Sequence, residues 1–173
     1  MVQNFSHLPV ETGRANGGLS LLLLGNGDGT FTPVWPKVSG LIVRGDARGL
    51  TTTDFNGDGW PDFVVGINDG EVLTFQNGGS IETKVVKVRL TGDSKNPNAV
   101  GSRVTAVLSD NSRQTAEIHA GGGYLSQTTH ELVFGLARTN QLKRLIVRRP
   151  DGRQTMTTNG IGEAIIRLKQ PGA

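Results

Sequence analysis

The sequence predicts a mostly β protein in two parts, and three observations predict it. Glycine accounts for 25 of 173 residues, about twice the usual share, while hydrophobic residues reach only 35%. Stretches such as VVKVRL, RVTAVL and RLIVRR are rich in the β-branched residues that strands prefer. No segment sustains the i, i+3, i+4, i+7 apolar spacing of an amphipathic helix. Short strands joined by many tight turns satisfy all three. The length suits one ordinary domain or two small ones.

Taken in order, the elements explain themselves locally. The opening MVQNFSHLPV has neither a basic nor an apolar leader region, so a signal peptide is expected upstream rather than here. Asn4-Phe5-Ser6 fits the glycosylation pattern, a match short enough to arise by chance. The run from Leu19 to Leu24 is too short to span a bilayer and reads as a strand. GNGDGTF (Gly25 to Phe31) reads as a hairpin turn, because Asn26 and Asp28 alone are too few ligands for an ion. Thr51 to Thr53 and Phe63 to Val65 read as strands around a polar loop. Asn68 to Gly70 is a tight-turn signature between DFVVGI and EVLTF.

The charge changes sign along the chain. Residues 1–79 carry four basic and eight acidic residues, a net −4, and residues 80–173 carry fourteen against seven, a net +7. The switch falls at QNGGS (Gln76 to Ser80), so the expected domains are 1–79 and 80–173. With no cysteine, disulfides and thiolate metal sites are excluded, while the compartment is left open.

The first part repeats itself weakly. Asn16, Gly18 and Leu21 align with Asn68, Gly70 and Leu73 at an offset of 52 residues. A period near that value is what propeller blades of about four strands show. Chance similarity of glycine-rich hairpins is the alternative. Repeat units bury their apolar faces against neighbours. The chain is therefore expected to be the C-terminal piece of a longer protein, or to cover its blade with the second domain.

The segment DFNGDGWPD (Asp54 to Asp62) is the most informative in the chain. Asp54, Asn56 and Asp58 place oxygen ligands at alternate positions of a turn, and Gly57 and Gly59 allow the positive φ of a tight curl. The Trp60 carbonyl and Asp62 complete a hard, all-oxygen shell that suits structural Ca²⁺. An EF-hand is excluded, because its twelfth position needs glutamate and Val65 stands there. A metal-free polar turn and a catalytic acid cluster are the alternatives. Catalysis is disfavoured because no histidine or lysine nearby in sequence offers a general base.

LLLLGNGDGTF and LTTTDFNGDGWPDFVVG resemble the FG-GAP or VCBS repeats of integrin-like β-propellers, over roughly residues 1–79. The resemblance implies that Asp54, Asn56, Asp58, Trp60 through its carbonyl, and Asp62 bind Ca²⁺. VKVRLTGDSKNPNAVGSRVTAVL, HAGGGYLSQTTHELVFGLA and LIVRRPDGR resemble the ASPIC/UnbV domain of the cartilage acidic protein family and its bacterial relatives. Two departures stand out. Gly135-Leu136-Ala137 replaces Gly-Leu-Gly, and Arg149-Pro150-Asp151-Gly152 replaces Trp-Pro-x-Gly.

The predicted fold is thus part of a Ca²⁺-binding propeller blade followed by a small antiparallel β-sandwich or barrel. Lys143, Arg144, Arg148, Arg149 and Arg153 crowd one hairpin-like stretch and offer a polyanion grip, set against a plain solvated strand face. Nucleic acid is disfavoured, since Tyr124 alone provides no stacking platform. His119 and His130 read as ordinary loop histidines, Ser126 lacks a nucleophile motif, and Gly121 to Gly123 lacks the helix of a phosphate cradle. The expected function is a secreted or cell-surface, non-catalytic module for adhesion or glycan contact. Its expected partners are extracellular glycan or protein and upstream repeats of the same protein. An accessory or capping domain of a larger enzyme, with the active site outside this chain, is the alternative.

Overall fold

The computed structural model describes residues 19–169. Asn4-Phe5-Ser6, and Asn16 and Gly18 of the internal repeat, lie outside the described residues. Strand makes up 46% of the described residues and helix 3%, so the mostly-β expectation holds. The chain divides into two compact units: residues 19–53, 62–76 and 123–127, and residues 54–61, 77–122 and 128–169.

In the first unit, β1 (Leu22–Gly25) and β2 (Phe31–Val34) form an antiparallel hairpin with Gly25 opposite Phe31. GNGDGTF is its turn. Asp28 Oδ1 accepts the Thr30 N–H at 2.9 Å and the Thr30 hydroxyl at 2.6 Å. These bonds stand in for ladder bonds where the chain reverses. One helical turn, α1 (Pro36–Ser39), follows, started by Pro36 and stopped by Gly40 at φ 72°.

The strands β3 (Ala47–Thr53), β4 (Asp62–Ile67) and β5 (Leu73–Phe75) then form an antiparallel sheet in that order. The β4–β5 turn carries Asp69 at φ 53°, as a tight polar turn allows. Leu41, Val43, Ala47 and Val65 are the buried core of this unit. Next to it, buried Asp46 accepts Arg48 Nη2 at 2.6 Å and Asn68 Nδ2 at 3.3 Å on one carboxylate oxygen. Leu23, Leu24, Phe31, Trp35 and Val38 remain exposed.

The second unit is a sandwich of two open sheets. Strands β6 (Thr83–Thr91), β9 (Glu131–Ala137) and β12 (Ile165–Lys169) form one, in the order β12-β6-β9, with β12 parallel to β6. Strands β7 (Arg103–Leu108), β8 (Arg113–Glu117), β10 (Leu142–Arg148) and β11 (Gln154–Thr157) form the other, antiparallel and in the order β11-β10-β7-β8. Neither sheet closes, so of the two predicted forms the sandwich is found and the barrel is not.

Alternation places the core. Val86, Val88 and Leu90 of β6, Leu132, Phe134 and Leu136 of β9, and Leu145 and Val147 of β10 all point inward. Each such buried side chain contributes roughly 1.5–3 kcal/mol of transfer free energy, which makes this cluster the main stabiliser of the unit.

Candidate functional site

The acid-rich loop occupies residues 54–61, between Thr53, the last residue of β3, and Asp62, the first of β4. Its polar side chains fold onto its own backbone. Asp54 Oδ1 accepts the Gly57 N–H at 2.8 Å, and Oδ2 accepts the Gly59 N–H at 2.9 Å. Asn56 Oδ1 accepts the Asp58 N–H at 3.1 Å, and Asp58 Oδ1 accepts the Trp60 N–H at 2.8 Å. The Asn56 amide also donates to Asp58 Oδ2 at 2.7 Å. Gly57 at φ 77° and Gly59 at φ 94° supply the left-handed curl that makes these bonds possible.

A cation from the chain itself enters this loop. Lys87 Nζ donates to Asp54 Oδ2 at 2.6 Å, with both side chains mostly buried at 8% and 17% exposure. Lys87 Nζ also stands 3.9 Å from Glu131 Oε1, whose other oxygen bonds Arg89 Nη2 at 3.0 Å. The Lys87 bond, helped by the Gly59 and Gly57 N–H groups, holds the Asp54 carboxyl below its ordinary range against the opposing effect of burial. Lys87 was not legible as part of this loop. It lies 33 residues away and sits at an outward position of β6, between Val86 and Val88, where a lysine reads as solvated.

Of the five predicted metal ligands, Asp54, Asn56, Asp58 and Trp60 come together in the loop. Asp62 opens β4, belongs to the first unit and is fully buried. Among the described residues, no three His, Cys, Asp or Glu side chains are grouped to hold a metal. Carboxylate, amide and carbonyl oxygens at alternate positions fit a hard divalent cation in chemical type. The side-chain oxygens, however, already accept internal donors, and Asp54 already pairs with an ammonium.

Trp60 fixes the end of the loop. A side chain at Gly79 would begin 2.6 Å from Trp60 Nε1, and Gly79 has φ 69°. Asn77 braces the same corner, donating to the Pro61 carbonyl at 3.3 Å and accepting the Gly79 N–H at 3.0 Å. Gly79→Ala is expected to lower stability by about 1–2 kcal/mol through left-handed backbone strain, with displacement of the indole. Urea unfolding followed by tryptophan emission measures both effects.

The five basic residues singled out in the sequence do not form one face. A register shift in β10 between Leu142 and Arg144 sets the alternation, so Leu145 and Val147 point into the core while Arg144 and Arg148 point away. Lys143 donates to Asn111 Oδ1 at 3.3 Å, and Arg153 pairs with Asp151 at 2.6 Å. Arg149 follows Val147 on the inward side and is only 5% exposed. His119, largely exposed, stands 3.9 Å from Glu117 Oε1.

Known families account for most of the chain. A model described as FG-GAP-like repeat matches residues 12–65, taking in β1 to β3, the acid-rich loop and the first four residues of β4. A model described as ASPIC and UnbV matches residues 92–173, taking in β7 to β12. No curated protein matches the chain. Lys87 falls between the two matched segments. The chain therefore carries an FG-GAP-like repeat at residues 12–65 followed by an ASPIC and UnbV domain at residues 92–173.

Proposed function

We propose that the chain is a non-catalytic binding module of a secreted or cell-surface protein, serving adhesion or glycan contact, and that its 54–61 loop takes Ca²⁺ as a structural ion. FG-GAP-like repeats are typical of extracellular proteins, and no helix among the described residues is long and apolar enough to cross a membrane. The observation that carries the calcium reading is the loop's composition and curl. Asp54, Asn56 and Asp58 alternate over one turn that Gly57 and Gly59 permit, with the Trp60 carbonyl beyond them. Calcium there would neutralise carboxylates, and the chain's own residues do the rest of the ordering through their bonds to the backbone.

Extracellular modules bind Ca²⁺ with Kd of about 10⁻⁴–10⁻³ M. At ten times Kd, a single site stabilises the fold by about 1.4 kcal/mol. Scanning calorimetry of the full chain is expected to show a calcium-dependent rise in melting temperature that Asp58→Ala abolishes. An equal rise in that variant, or none in the parent, contradicts the calcium reading.

A second reading is a packing part of a larger assembly, including a cap on further repeats or an accessory domain of an enzyme. The exposed Leu23, Leu24, Phe31 and Trp35 of the first unit favour it. Sedimentation of the isolated chain separates the two: concentration-dependent association relieved by Phe31→Ser supports packing.

A further inference from the structure

We infer that the cavity lined by Gly101, Arg103, Glu117, Arg148, Arg149 and Gly152 binds a single oxyanion group, a carboxylate, sulfate or phosphate. This deepens the glycan contact proposed above and rests on that reading only for the source of the anion. All the lining residues belong to the second unit. The cavity measures about 260 Å³ and is open to solvent. That is below the roughly 300–1,000 Å³ of pockets that enclose a drug-sized molecule, so it suits one charged group with the rest of the ligand outside.

Two independent features point to an anion. The first is the buried guanidinium. Arg149 is 95% buried by residue area, its exposure being 5%, and its Nε and Nη1 have no hydrogen-bond partner among the described residues. An arginine cannot shed its charge at neutral pH, so these two donors are buried without hydrogen bonds, with only the longer-range charges of Asp151 and Asp93 to offset them. Burial accordingly pushes the group's pKa down, against the opposing pull of Asp151.

The second feature is the row across the sheet. Arg148 of β10 pairs in register with Arg103 of β7, which pairs with Glu117 of β8. Like charges placed directly opposite destabilise a strand pair unless something negative lies between them. Arg103 is satisfied by Glu117, donating to Oε2 at 2.9 Å from Nη2 and 3.3 Å from Nε. Arg148 has no such carboxylate partner among the described residues. The carboxylate that lines the cavity is thus engaged, and Arg148 and Arg149, which leave the end of β10 on opposite sides, both line the cavity. Arg153, next in the chain, is already bound to Asp151 and takes no part.

The site differs in kind from a basic surface. Charge on a strand face attracts any polyanion diffusely and is screened by salt, whereas a desolvated guanidinium in a cavity discriminates by shape and hydrogen bonding.

The test is calorimetric titration of the full chain with sodium sulfate, and separately with inorganic phosphate and acetate, at ionic strength held constant with chloride. Saturable binding is expected for at least one. Arg148→Gln, an exposed change, should weaken it about tenfold or more, as loss of one charge-assisted contact does. Arg149→Met should remove it, and Arg153→Gln should leave it unchanged.

Unsaturable heats, or equal affinity in Arg148→Gln and the parent, overturn the site. If Arg149→Met does not fold, the Arg148→Gln comparison decides alone. A sulfated oligosaccharide competing with inorganic sulfate identifies a glycan source, whereas competition by a carboxylate-rich peptide alone identifies an acidic polypeptide. Binding of small anions with no response to Ca²⁺ upholds this site while removing the calcium reading.

Discussion

Replacing Gly92 with alanine is expected to destabilise the second unit by about 3 kcal/mol, the upper part of the range for forced overpacking. A methyl group at Gly92 would fall on the Asn96 carbonyl oxygen, with the Ala99 nitrogen 3.3 Å away. Both obstacles are backbone, so neither can rotate aside. The segment they belong to is also braced. The Gly92 N–H donates to the Pro97 carbonyl at 3.0 Å, and the Asn96 side chain bonds both the carbonyl and the N–H of Val100 at 2.9 Å. Asp93 Oδ1 accepts the N–H groups of Lys95 at 2.9 Å and Asn96 at 3.0 Å. Relief would have to break several of these bonds together. Urea titration should show a lower midpoint with unchanged slope. Gly135→Ala is the control, because no atom comes within 4 Å of a side chain added there. A loss below about 1 kcal/mol for Gly92→Ala would show that the loop yields.

The second large effect is expected at Lys87. Lys87→Met should cost about 2 kcal/mol at pH 7, less than a fully buried broken pair because Asp54 keeps its two backbone donors and some solvent. The pH dependence has a definite sign. Asp54 has its carboxyl lowered from the ordinary value of 3.8 in the folded protein, first by Lys87. The stabilisation is therefore complete above the ordinary carboxylate range and is lost as pH falls below about 4 through the lowered value. The parent and Lys87→Met stability curves should converge in that acid window and separate above it. A gap that stays constant from pH 7 to pH 2.5 assigns the effect to packing of the lysine stem instead. If the loop takes calcium, Lys87→Met should also show the larger calcium-linked rise in melting temperature, since Asp54 Oδ2 then faces no ammonium.

Much of the fold could be read locally because local chemistry decides it. VVKVRL, RVTAVL and RLIVRR became β6, β7 and β10, where β-branched residues pack on a half-buried sheet. GNGDGTF and the Asn68 to Gly70 turn were legible because Asp, Asn and Gly bond or bend the chain where they stand. Leu21 and Leu73, matched in the internal repeat, lie just before β1 and at the head of β5.

What escaped depends on residues far apart in the chain. The parallel pairing of β12 with β6 joins segments that share no local signal. One turn of α1 is too short to show a period. The basic stretch looked continuous because the shift at Lys143, which sends Arg144 and Arg148 outward and Arg149 inward, is a property of the pairing with β7. The acid-rich loop was found with its alternating oxygens and both glycines in place. Its charge partner was not, because an alternating strand gives no sign that one outward lysine is covered.

That covered lysine changes how the loop meets its surroundings. A dissolved ion neutralises a carboxylate only to the extent that the medium supplies it. A charge carried on the same polypeptide is present at an effective concentration fixed by the fold, in the millimolar range or above for tethered groups. Chelators cannot remove it, and dilution does not alter it. The ordering of Asp54 by Lys87 and the loop's own N–H groups should therefore persist in calcium-free buffer, leaving the medium to adjust the loop rather than create it.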